Sequence, residues 1–107
     1  MITERIQAEL HALGITPCYR GYEQLACAVE LAVSNEADLK DITKRIYWVV
    51  AEKCGCKRSC VERNIRTVIF VAWHCNRARL RMLARYPLNA PPTASKMIAI
   101  LVKQVKE

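Results

Sequence analysis

Between Lys57 and Arg85 the chain carries eight bases, Lys57, Arg58, Arg63, Arg66, Arg77, Arg79, Arg81 and Arg85, against one acid, Glu62. That segment holds the whole formal net charge of +7, because the other 78 residues contain nine bases and nine acids. A guanidinium presents paired N–H donors that match a phosphate or the O6 and N7 edge of guanine. Concentrated on one structural unit, such groups bind polyanions by releasing counterions. Within the segment, Cys60, Arg63 and Thr67 fall on one side of a helical wheel, opposite Val61 and Ile65, with Asn64 and Arg66 at the flanks. They belong to the first two turns of a helix, the part that enters a DNA major groove. The expected DNA-facing set is Lys57, Arg58, Ser59, Cys60, Glu62, Arg63, Asn64, Arg66 and Thr67. Glu62 can accept from cytosine N4, in competition with a capping role. Arg77, Arg79 and Arg81 alternate beyond this helix and read as a phosphate clamp beside it.

The elements that must position these groups are helices. Ile2, Ile6, Leu10 and Leu13 recur at helical spacing before Gly14 and Pro17 stop the run. A second helix is expected from about Tyr22 to Ser34, with Leu25, Ala28, Val29, Ala32 and Val33 inward. A third should run from about Leu39 to Lys53, with Ile42, Ile46, Val49 and Val50 inward, and break at Cys54-Gly55-Cys56. The fourth is expected to open at Ser59 with a capping box in which Ser59 and Glu62 exchange side-chain-to-amide bonds. Its core stripe is Val61, Ile65, Val68, Ile69 and Ala72. A short helix near Ala78–Ala84, a proline-bearing loop and a last helix capped by Thr93 or Ser95 follow. That last helix should bury Met97, Ile98, Leu101 and Val105. The fold class is all-α, a compact bundle of about six helices. The third and fourth helices across a glycine-bearing turn make a helix-turn-helix at about residues 39–75.

At 107 residues, 52% hydrophobic and 25% charged, the chain has room for one domain, taken as 1–107, with one modest core. Three glycines and four prolines favour long helices over many short strands. No uncharged stretch approaches the ~20 apolar residues of a membrane span, and Met1–Arg5 lacks the order of a signal peptide. The expected place is the cytoplasm, where the six cysteines stay reduced. Cys54, Cys56 and Cys60 could hold zinc together with His74 or Cys75, but their spacing departs from the usual paired arrangement. They read as small apolar fillers at a tight turn. His11 and His74 have no carboxylate or serine partner nearby in sequence, so no catalytic set, cofactor or metal is expected. Trp48, Trp73 and Tyr47 read as core aromatics.

From Glu62-Arg63-Asn64-Ile65-Arg66 through Val71-Ala72-Trp73 the chain resembles the C-terminal effector domain of the sporulation master response regulator, the stage zero sporulation protein A family. Further landmarks are Gly21-Tyr22, Asp41-Ile42-Thr43-Lys44, Ser59, Pro92-Thr93 with Ser95, and Ile98-Ala99. The resemblance runs in one unbroken order from about Ile6 to Val105. It implies a non-enzymatic, all-helical transcription factor acting on promoters of sporulation and stationary-phase genes, with Ser59, Glu62, Arg63 and Arg66 on the DNA-facing helix. Expected partners are double-stranded DNA, a second copy forming a dimer on that DNA, and RNA polymerase or another regulator. Three positions depart from the family: Cys60 stands where arginine is usual, Thr67 where histidine is common, and Phe70 where an acid is usual. The expectation is an effector domain without its receiver. The rival expectation is an interaction module of the same fold that has lost base readout at Cys60 and binds a regulator through Phe70.

Overall fold

A computed structural model of the chain describes residues 2–34 and 45–106, the latter including the whole basic segment. Among the described residues there are six helices and no strand: α1 (Ile2–Ala12), α2 (Arg20–Ser34), α3 (Ile46–Cys54), α4 (Arg58–Cys75), α5 (Arg77–Ala84) and α6 (Ala94–Lys106). The expected start of the third helix, from about Leu39 and including Asp41 and Ile42, lies outside the described residues.

The helices form because apolar side chains return every three or four residues and find one shared core. Ile6, Leu10 and Leu13 meet Leu25, Ala28 and Val29 of α2, and all are buried with Ile46, Val50, Val61, Ile65, Val68, Met97, Ile98 and Leu101. α2 occupies the middle and packs against α1, α3, α4 and α6. α4 rests on α2 along its length and is braced by α3 and α6.

Two corners fix α4 in place. At the first, α1 ends and the chain turns through Gly14 (φ +85°), where Ile15 donates back to Leu10 O. A Cβ on Gly14 would come 2.8 Å from Cys75 Cβ, so this turn lies directly on the end of α4. Asn76 bonds the two ends, donating to Ala12 O at 2.8 Å while its Oδ1 caps α5 by accepting from Arg79 N. At the second corner α3 stops at Gly55 (φ +67°), whose left-handed backbone lets Cys56 donate to Ala51 O and turns the chain into α4.

Two sequence expectations need correction. α4 begins at Arg58, with Lys57 as an extended N-cap residue (ψ 154°) that makes no side-chain cap. Ser59 is therefore already inside the first turn, and no capping box forms. Glu62 instead pairs with Arg66 at 2.9 Å. Trp48 is not a core residue: it is 57% exposed on the outer side of α3, while Tyr47 and Trp73 are buried as expected. Adjacent positions on a helix point about 100° apart, so once Tyr47 faces the core Trp48 is swung out of it. Thr93 caps α6, accepting from Lys96 N.

Candidate nucleic-acid interface

The N-terminal half of α4 is gripped on one side and open on the other. Val61, Ile65, Val68 and Ile69 are buried against α2, α3 and α6. Gly21 allows the tightest approach: a Cβ there would stand 2.3 Å from Asn64 O and 2.8 Å from Val68 Cγ1. The first turn of α2 thus lies against the second turn of α4, and any shift of one moves the other.

The open side carries Lys57, Arg58, Ser59, Arg63, Arg66 and Thr67, all exposed. Arg63 lies in the middle of this face. Arg66 donates to Glu62, but both side chains are about half exposed or more, at 66% and 47%. An exposed i,i+4 pair is worth only about 0.3–0.5 kcal/mol, so either group can turn to a stronger partner. Thr67 Oγ1 donates to Arg63 O at 3.0 Å, which leaves its oxygen to act as an acceptor. Phe70 (47% exposed) and His74 continue the same stripe toward the C-terminal end, with their rings stacked at 6.5 Å.

Two shallow clefts flank the start of α4. One, of about 370 Å³, lies on the α3 side between Trp48, Ala51 and Arg58. There the Arg58 guanidinium stands 5.7 Å from the centre of the Trp48 ring, a cation–π contact that favours one orientation of an otherwise mobile side chain. The other, of about 300 Å³, lies on the α2 side, lined by Arg20, Gln24, Cys54, Cys56, Cys60 and Asn64. Cys60 is half-buried in that cleft rather than on the open face. Gln24 is buried there, its Nε2 donating to Cys56 Sγ at 3.6 Å and its Oε1 without a donor. Burial pushes the Cys54 thiol up, with the Cys27 and Cys56 sulfurs adding to it, and burial likewise raises Cys27. Both stay neutral thiols at ordinary pH. Among the described residues no three His, Cys, Asp or Glu side chains gather to hold a metal.

The three alternating arginines do not act as one group. Arg77 and Arg81 stack on Trp73, with guanidinium carbons 4.4 Å and 5.5 Å from the ring centre. Arg81 Nε also donates to Leu88 O. Arg79 points the other way and donates to both carboxylate oxygens of Glu9 at 3.0 Å, with its Nε buried and unpartnered. Roughly 18 Å of helix separates Arg63 from the end of α4, so Arg77 and Arg81 stand apart from the exposed face of its first turns.

Two residues beside the start of α4 gave little sign of their position in the sequence. Trp48 was hidden by its apolar type. Arg20 lies forty residues earlier in the chain, and its only sequence signal was the glycine that follows it.

The domain braces one basic helix from behind and leaves the first two turns of that helix open. The family model for the C-terminal domain of sporulation initiation factor Spo0A matches residues 6–105. The chain belongs to that family, a family of DNA-binding sporulation regulators and not of enzymes. Among the described residues no helix is long and apolar enough to cross a membrane.

Proposed function

We propose that this chain is a sequence-specific DNA-binding transcription regulator, folded as one domain, whose α4 enters the major groove of its target. α3 and α4 across Gly55 serve as its helix-turn-helix. The observation that carries the reading is the exposed Arg63–Arg66–Thr67 face on the first half of α4, in a chain of this family. The Arg63 guanidinium makes no hydrogen bond or ion pair with any described residue, so its fork is available to a guanine edge. Asn64 and Thr67 flank it, and Glu62 is free to accept from cytosine once Arg66 turns to a phosphate. Lys57, Arg58 and Ser59, at the helix start, meet the backbone at the groove's edge. Arg77 and Arg81 offer a second, separate anion contact. A dimer on DNA and a contact with RNA polymerase belong to the same proposal, as does action in the cytoplasm where the chromosome lies.

Binding of the chain to selected and unrelated duplexes, titrated at two salt concentrations, tests it. Affinity should fall steeply with salt. Arg63→Ala should lose ~1–3 kcal/mol on the selected duplex and relax the preference at one base pair. A flat salt response or no binding at micromolar protein would hand the function to the second reading, in which the Phe70–His74 pair docks another protein. That reading is favoured by one observation, a large apolar ring nearly half exposed on the same stripe.

A further inference from the structure

Cys60 stands where the resembling family usually has an arginine, and another guanidinium borders the cleft that contains it. It is not that of Arg58. Two residues apart on a helix, side chains diverge by roughly 200°, and Arg58 is turned to the α3 side, over Trp48. The cleft that contains Cys60 is bordered instead by Arg20, the first residue of α2. Gly21 holds that position closely, because its backbone lies on Asn64 O. Arg20 is exposed and its guanidinium makes no hydrogen bond or ion pair with a described residue; Glu23, which lines the same cleft, is not bonded to it. Gln24 Oε1, one turn along α2, is a buried acceptor with no donor at the cleft wall. A guanidinium has five donors, so Arg20 can bond to Gln24 with one and still present the others outward.

We propose that Arg20 is a DNA-contacting residue that grips a phosphate at the edge of the groove entered by α4. It restores on this side of the helix the charge that Cys60 lacks. The inference rests on the DNA-binding reading above. The contact is to phosphate because α2 lies beside α4 rather than along it. Its end therefore meets the sugar–phosphate wall of the groove, while base edges face the helix within.

The test is equilibrium binding of the 107-residue chain to its selected duplex and to an unrelated duplex across a salt series. Wild type is compared with Arg20→Ala, Arg20→Lys, Cys60→Arg and the Arg20→Ala/Cys60→Arg double variant. Arg20→Ala should weaken both duplexes alike, by roughly tenfold or more, as expected for a hydrogen bond to a charged group. The salt slope should shrink by about 0.9, one phosphate's share. Arg20→Lys keeps that slope. Cys60→Arg should gain more affinity in the Arg20→Ala background than in wild type, because both guanidiniums serve one cleft. Arg20 is exposed, so unchanged helicity and melting temperature are expected and are measured alongside. Unchanged affinity and slope in Arg20→Ala, a loss confined to the selected duplex, or equal gains from Cys60→Arg in both backgrounds would each overturn the assignment while leaving the DNA-binding reading intact. If wild type binds neither duplex, both fail together.

Discussion

Replacing Gly21 with alanine would set a methyl carbon 2.3 Å from the Asn64 carbonyl oxygen, 2.9 Å from its carbon and 2.8 Å from Val68 Cγ1. Close carbon–oxygen contacts in proteins fall near 3.3–3.6 Å, so α2 and α4 must part by about 1 Å at this point. Two of the three atoms are backbone and cannot rotate away. Overpacking of this kind costs ~1–3 kcal/mol. Against it stands the better helix propensity of alanine, at most about 1 kcal/mol and smaller here, since Gly21 is only the second residue of α2. The overpacking wins, and a net loss of roughly 1–2 kcal/mol should lower the melting temperature by about 4–9 °C for a domain of this size. The displaced turn of α4 carries Asn64 and adjoins Arg63. A recognition constellation tolerates only about 0.5 Å of misplacement, so preference for the selected duplex should suffer more than binding to unrelated DNA.

Gly55→Ala supplies the control. A Cβ at Gly55 meets nothing within 4 Å, but its φ of +67° is left-handed. The cost there is backbone strain alone, about 1–2 kcal/mol, with no wedge between helices. Both variants should melt earlier, and only Gly21→Ala should lose discrimination between duplexes. Thermal melts followed by circular dichroism, paired with binding on the two duplexes, read both quantities. A Gly21→Ala protein that melts at or above the wild-type temperature would refute the close approach on which the reasoning rests.

Arg79→Ala should reduce stability by roughly 1–3 kcal/mol, since it leaves the largely buried Glu9 carboxylate without its two donors. The folded variant should bind DNA with unchanged affinity; a uniform loss on every duplex at full stability would make Arg79 a phosphate contact after all. The Tyr47 hydroxyl is pushed up to about 12, chiefly by burial, with Glu62 adding and Arg66 opposing. The folded state then keeps a proton that the unfolded chain releases near pH 10, so this group's contribution declines from about pH 10 to 12, by on the order of 2–3 kcal/mol at most. In urea melts the stability difference between wild type and Tyr47→Phe should be constant below about pH 10 and shift against wild type above it, and a difference that stays constant throughout would show an ordinary phenol.

The parts of this fold that were legible in the sequence are those set by periodicity. Val61, Ile65, Val68, Ile69 and Ala72 return on one face of α4, and every one of them is buried. Gly55, Thr93 and the Cys54–Cys56 break were likewise visible, because a turn or a cap needs particular residue types. What periodicity could not decide was which of two neighbouring residues faces inward when both are apolar. Tyr47 and Trp48 are such a pair, and one lies in the core while the other lies on the surface beneath the Arg58 guanidinium. Nor could it rank competing partners for one polar group. Glu62 is well placed for a capping box by spacing, yet the extended backbone at Lys57 starts the helix early and leaves Glu62 to Arg66. The ion pair between Arg79 and Glu9 spans 70 positions and the placement of Arg20 beside Cys60 spans forty, so neither leaves a local trace.

That last class of contact changes how the charge of the chain should be understood. In sequence the eight bases of Lys57–Arg85 form one run, and one run suggests one surface. In the fold α4 is 18 residues, about 27 Å long, and it divides them. Lys57, Arg58, Arg63 and Arg66 sit at its beginning, where Arg20 joins them from α2. Arg77 and Arg81 sit at its end, flattened against Trp73, and Arg79 is neutralised by Glu9. A duplex lying across the first two turns of α4 therefore meets about half of the bases in the segment. The salt dependence of binding should report that smaller number, and substitutions at Arg77 or Arg81 should alter it only if the DNA extends past the reading helix to the α4–α5 corner.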